Sequence, residues 1–221
     1  MARTATLNRL LLGAALLSLA LGLWQLGGAA LIHGKAWLAQ RLLDSAWQAT
    51  LAGGTQVKPW PWADTWPVAR LRVPALDVDL YVLAGASGRT LAFGPALVEG
   101  TRGLHHRILS GHRDTHFAFL QYLQDGSRLE VQDRQGRWRD YAVRGHQVID
   151  LRQAVTARRA AAGSELLTLV TCYPFDAVTP GGPLRYAVTA EIIDPPLQEA
   201  VSSQLAVGGL PAGEGPPDGA L

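Results

Sequence analysis

The one cysteine of this 221-residue chain, Cys172, closes the apolar run Leu166-Leu-Thr-Leu-Val-Thr-Cys172 and is followed directly by Tyr173-Pro174. A single cysteine forms no intramolecular disulfide. Without a CxxC pair it also offers neither dithiol exchange nor a thiolate zinc cluster. Two roles remain, a packed thiol or a nucleophile. Pro174 stops the strand two residues on, so the sulfur is expected at the strand's mouth, where core becomes cleft. An ordinary thiol is only a few per cent thiolate at neutral pH and needs a base or a cation beside it.

The chain supplies both. His112 stands in Ser110-Gly-His-Arg-Asp-Thr-His-Phe117, just after a short strand pattern (Arg107 to Ser110) and a tight turn. An imidazole there can protonate a leaving amine and then deprotonate an incoming nucleophile. Arg185, thirteen residues after the cysteine and beyond a Gly/Pro loop, alternates with the inward Leu184 and Tyr186 and so faces the other side of its strand. A guanidinium stays charged and is no acid, but its fixed donors can hold an oxyanion. The backbone N–H of Tyr173 is the expected second donor. Arg113 is the rival arginine, expected to pair with a surface carboxylate. His116 is read as structural, and His33, His105, His106 and His146 as solvated. Thiol, imidazole and guanidinium together are the parts of thiol-based acyl transfer.

These groups need a scaffold. Leu10 to Ile32 carries no charge over 23 residues. As a helix it reaches about 34 Å, enough to cross a hydrocarbon core of about 30 Å. A cleaved signal peptide has a shorter apolar region, so the segment reads as an uncleaved signal-anchor. Arg3 and Arg9 before it nearly balance Lys35 and Arg41 after it. The amino terminus tips the orientation towards a cytoplasmic N-terminus with the bulk of the chain outside. The expected organisation is 1–9 cytoplasmic, 10–32 transmembrane, 33–67 juxtamembrane helix and Pro/Trp linker, 68–194 catalytic domain and 195–221 disordered tail. Residues 35–52 suit the helix, with Trp37 and Trp47 at headgroup level. Lys58-Pro-Trp-Pro-Trp62 suits a stiff spacer, with docking of its tryptophans onto the domain as the alternative.

From Val68 the pattern has period two. Leu71 and Val73 alternate with arginines, and Val78, Leu80 and Val82 with Asp77, Asp79 and Tyr81. Further strands are expected at 107–110, at Leu129 and Val131, at 138–143 after an Asp133-Arg-Gln-Gly136 turn, and at 146–150, 166–171 and 184–192. Short helices are expected at 114–123, with Phe117, Leu120 and Leu123 on one face, and around 152–162. Many short strands point to an all-β antiparallel sandwich or closed barrel. A net charge of +2 gives no reason to expect nucleic acid as a partner.

Gly111-His112-Arg113, Leu169-Val-Thr-Cys172, the distal Arg185 and the N-terminal apolar span together resemble the sortases, the cell-surface cysteine transpeptidases. The similarity runs from about Val68 to Ile193 and includes Val73-Pro-Ala-Leu-Asp-Val78. His112-Arg-Asp-Thr-His-Phe117 and Thr171-Cys-Tyr-Pro-Phe175 look most like the Gram-negative proteobacterial type. The resemblance implies an eight-stranded sortase β-barrel in which Cys172, His112 and Arg185 form the triad and Thr171 assists substrate or oxyanion placement. It implies as partners a secreted protein with a C-terminal sorting signal and an amine acceptor. The expected location is the inner membrane, with the catalytic domain outside the cytoplasm. No acidic loop clearly resembles the calcium site of some sortases, so neither metal nor cofactor is expected. A zinc site built on His105, His106, His112 and His116 is disfavoured, because Arg113-Asp-Thr115 supplies no HExxH glutamate. A serine elbow at Ser110 is excluded by Ile108. The alternative from another class is a non-catalytic, membrane-tethered β-domain that binds a partner, with Cys172 merely packed.

Overall fold

The structure is a computed structural model and describes residues 2–98, 106–153, 165–179 and 181–193. It opens with α1 (Ala2–Leu51), a single unbroken helix. The anchor and the juxtamembrane helix expected from the sequence are therefore one rod. Nothing between Ile32 and Lys35 breaks it, since Gly34 alone costs a helix only about 1 kcal/mol. Its first part is long and apolar enough to cross a membrane, and from Leu11 to Ile32 its side chains are exposed.

Eight strands follow: β1 (Pro67–Val73), β2 (Val78–Ala84), β3 (Ala96–Leu97), β4 (His106–Ser110), β5 (Arg128–Gln132), β6 (Trp138–Asp150), β7 (Leu166–Cys172) and β8 (Leu184–Ile192). They close into a barrel in the order β1-β2-β3-β4-β7-β8-β6-β5. Closure leaves no unpaired edge, which is how short, half-apolar strands become stable. The period-two residues fill the interior, where Leu71, Val73, Val82, Leu109, Leu129, Leu167, Leu169 and Val188 are almost wholly buried. The hairpin between β5 and β6 turns at Asp133–Gly136. Gly136 takes a φ of +80°, and its N–H donates to Asp133 O.

Three expectations change. The segments at 138–143 and 146–150 are one 13-residue strand with a register shift between Val143 and Gly145. A bulge keeps both parts paired with β8, so the apparent gap in the pattern does not end the strand. The expected eighth strand is instead β3, two residues long and parallel to β2, too short to show periodicity. The helix at 114–123 contracts to a 3-10 turn at Ala118–Tyr122. Phe117 N–H reaches back five residues to His112 O, in place of the i→i−4 bond of an α-helix. Phe117, Leu120 and Leu123 are nevertheless buried, and so is Phe119. The helix expected at 152–162 falls mostly on residues outside those described, as does the tail.

The end of α1 is docked on the barrel. Leu43 packs with Leu83 and Ala96, and Ala39 and Ala46 are buried. Asp44 accepts from the Tyr81 hydroxyl at 2.6 Å. That bond holds the Asp44 carboxyl below the usual range, while burial and the carboxylate push Tyr81 up to about 12. Trp47 is fully buried and donates to Gln132 Oε1, so it is a core residue and not a headgroup anchor. The Pro/Trp segment is likewise no free spacer. Pro59 and Ala63 are buried, Trp60 meets Phe93 edge-on at 4.9 Å, and Thr65 donates to Ala84 O.

Candidate active site

Strand pairing assembles the site. β4 and β7 run parallel, with Ser110 beside Val170, and the ladder continues one residue further as Gly111 N–H donates to Val170 O. His112 therefore follows directly at the end of β4, next to the end of β7. On the other side β7 pairs antiparallel with β8, and Cys172 and Arg185 are register partners. The pleat sends Leu167, Leu169 and Thr171 into the barrel and Val170 and Cys172 onto its outer face. Directly opposed residues share a face, so Arg185 lies on the same side as Cys172. Imidazole, thiol and guanidinium residues, far apart in the chain, thus stand on three adjacent strand ends.

Their surroundings differ. Cys172 is half-buried, not sealed among aliphatics. His112 is exposed, and its imidazole makes no hydrogen bond among the described residues. Arg185 is half-buried, and its Nη1 donates to Gly182 O at 2.7 Å and Leu184 O at 2.8 Å. Nε and Nη2 are left without a partner among the described residues, and so free to meet an oxyanion.

Both groups expected to support the site are engaged within the protein. The Tyr173 N–H donates to Leu184 O at 3.1 Å, closing the β7–β8 ladder beyond the cysteine. It is committed and is not a spare oxyanion donor. Thr171 is 2% exposed, and its hydroxyl donates to Gly111 O at 2.8 Å. That bond clamps the His112 loop to the cysteine strand from inside the barrel.

Arg113 does more than pair with a carboxylate. It does bind Asp114, through Nε at 2.6 Å and Nη2 at 3.1 Å, which holds the Asp114 carboxyl below its usual range. Its Nη1 also donates to Pro174 O at 2.7 Å and its Nη2 to Ala177 O at 2.9 Å. The loop after the cysteine, with its cis Tyr173–Pro174 bond, is thereby tied to the residue next to His112. All three guanidinium nitrogens are engaged, which leaves Arg185 the freer oxyanion donor. Only the adjacency of Arg113 to His112 hinted at this in the sequence.

Of the histidines read as solvated, His106 is half-buried, and His146 is exposed but has partners. His106 Nε2 lies 2.7 Å from Thr168 Oγ1 on the outer face, and burial depresses its pKa. His146 sits 3.1 Å from the Tyr186 hydroxyl and 3.3 Å from Asp125. His116 is half-buried, and burial with the His112 charge depresses its pKa. His33 is exposed, and His105 lies outside the described residues.

Cysteine and arginine are thus opposed on two neighbouring strands of a closed barrel. The chain matches the sortase domain over residues 71–193, more than half its length, and it belongs to that family. No curated protein matches it. Among solved structures it is similar to sortase C-1 from Actinomyces oris, at 29% identity and a TM-score of 0.51 over 58% of this chain and 76% of that one. Sortase A from Corynebacterium diphtheriae aligns at 21% identity and a TM-score of 0.52, over 71% of this chain and 85% of that one. Clostridium perfringens sortase C, solved with the C-terminal cell wall sorting motif, aligns at 18% and 0.52 over 73% and 91%. The last two likenesses concern the fold alone. Fold and domain together support transpeptidase function of the sortase kind.

Proposed function

We propose that this protein is a membrane-anchored cysteine transpeptidase, its catalytic domain at 68–194 held outside the cytoplasmic membrane by residues 10–32. Cys172 attacks a backbone carbonyl within the C-terminal sorting motif of a secreted protein. A C–S bond forms, and the negative charge that develops on oxygen meets Arg185 Nε and Nη2. As the C–N bond breaks, the His112 imidazolium gives its proton to the departing amine, leaving a thioester on the enzyme. An acceptor amine then attacks the thioester carbonyl and yields its proton to His112. The C–S bond breaks, the thiolate returns, and the secreted protein is joined to the acceptor by a new amide. Water as the acceptor gives hydrolysis instead.

The observation that carries this reading is the register match of Cys172 with Arg185, with Gly111 and thus the His112 loop bonded to Val170 and Thr171 on the other side. The segments 112–117 and 171–175 favour the Gram-negative proteobacterial type, with one dedicated substrate and an inner-membrane location.

The test is intact-mass analysis of the folded protein incubated with the C-terminal segment of a secreted protein that ends in a short polar motif, an apolar span and a basic tail. The expected product is a single thioester adduct, lost on hydroxylamine treatment and absent in Cys172→Ala. Arg185→Ala should form it orders of magnitude more slowly, because one oxyanion donor is worth about 100- to 1,000-fold. An adduct that persists in Cys172→Ala, or a folded protein whose thiol resists iodoacetamide, contradicts the mechanism and favours the non-catalytic domain.

A further inference from the structure

Where α1 leaves its apolar span, a groove of about 610 Å³ opens between the helix, the Trp60–Asp64 loop and the short helix α2 (Gly88–Leu91). Its volume falls in the range of small-molecule sites, roughly 300–1,000 Å³. Its apolar wall comes from Leu38, Leu42, Trp60, Trp62 and Phe93, and its charges are Lys35, Arg89 and a single acid, Asp64. Trp62 is 83% exposed, and beside the groove Trp37 is 62% exposed with the Arg41 guanidinium over its ring. Neither Lys35 nor Arg89 has an ion-pair partner among the described residues.

Two physical facts say what covers this surface. Because α1 is unbroken, Lys35 to Leu42 follow Ile32 at about 4 to 15 Å along the axis. The polar zone of a bilayer begins at that edge and is roughly 5–8 Å deep, so the groove's near end at Lys35 lies at headgroup level and the rest of its helix wall just beyond. Exposed tryptophans and cations collect at that depth, the rings at the apolar boundary and the charges on phosphate. The groove also cannot collapse by moving the helix, which is fixed on its other face by Leu43, Asp44–Tyr81 and Trp47–Gln132.

We propose that this groove binds an anionic phospholipid of the leaflet facing the barrel, its phosphate met by Lys35 and Arg89 and its apolar part laid on Trp60, Trp62 and Phe93. The catalytic domain then rides against the bilayer surface, not on a free stalk. The inference rests on the reading of α1 as an anchor and goes beyond it.

The test uses the full chain carrying Cys172→Ala and one new cysteine labelled with bimane, reconstituted in nanodiscs. Labels go at Ala92 on the groove rim, at Val178 in the loop after β7 and at Ser18 in the span. Discs contain phosphatidylcholine alone or with phosphatidylglycerol, each with a headgroup nitroxide lipid or a deep-chain nitroxide lipid. The headgroup nitroxide should quench the Ala92 label far more than the Val178 label, and at lower nitroxide content when phosphatidylglycerol is present. Lys35→Gln and Arg89→Gln should each raise the phosphatidylglycerol needed by about five-fold. Quenching at Ala92 no greater than at Val178, or no response to phosphatidylglycerol and to both substitutions, overturns the proposal. The Ser18 label separates this failure from failure of the anchor. If the deep nitroxide reaches Ser18 but the headgroup nitroxide misses Ala92, the anchor stands and the lipid site falls; if it misses Ser18, both fall.

Discussion

Arg113 shows how one side chain can fix a distance between two others. It grips Pro174 O and Ala177 O on the loop leaving Cys172 while its own backbone follows His112. The proposed catalysis by thiol and imidazole depends on their separation, and a displacement of about 1 Å can cost a hundred-fold. Arg113→Ala is expected to lower kcat by roughly that factor with a smaller change in KM, while the fold, read by circular dichroism, stays intact. Arg113→Lys keeps the charge but loses the fork, so it should restore only part of the rate. Recovery to the native rate in the lysine variant would mean that charge alone matters. Gly111 makes a second point at this scale. A Cβ there would lie 2.7 Å from Cγ of the buried Phe117 ring, at the root of a side chain that has no room to move. Gly111→Ala should destabilise the domain by about 1–3 kcal/mol, seen as a lower denaturant midpoint at unchanged m-value.

Among the elements, the end of α1 is packed into the body of the domain. Trp47 is a fully buried ring whose N–H is bonded to Gln132 of β5. Trp47→Ala removes that ring from the α1–barrel contact and is expected to cost about 3–5 kcal/mol, measured by chemical denaturation of the detergent-solubilised chain. Trp47→Phe should recover much of it, since the ring carries most of the burial. On β4, His106 makes the outer face pH-sensitive. Burial holds His106 below the ordinary imidazole value of 6.5, and burial with the His112 charge does the same for His116. The unfolded chain then binds more protons than the folded one. Stability is therefore intact above about 6.5 and is lost as pH falls from there through the lower folded-state values. The melting temperature should drop on acidification from about pH 7.5 to 5, and His106→Gln should flatten that drop in part. An unchanged slope in the variant would remove His106 from the account.

For the molecule as a whole, closure of the barrel converts eight strands into one ring. β4 and β7, some sixty residues apart, become parallel neighbours, and β8 completes the site. The docked end of α1 and Trp60 join the apolar span to that ring, which differs from a free spacer carrying a tethered domain.

Much of this was legible in the residues. The period-two stretches marked most of the strands because water excludes apolar side chains at every second position, whatever the partner strand is. Cys172, His112 and Arg185 stood out because few side chains can do nucleophilic, acid–base and oxyanion work. What escaped depended on partners that no local pattern encodes. β3 is too short for a period, and the bulge at 143–145 splits one strand into two apparent ones. Trp47 looks like an interfacial residue until β5 arrives to bury it. Tyr173 N–H and the Thr171 hydroxyl looked available for substrate, and only the pairing of β7 with β8 and β4 committed them to Leu184 O and Gly111 O. A hydrogen bond needs both of its ends, and the chain alone names only one.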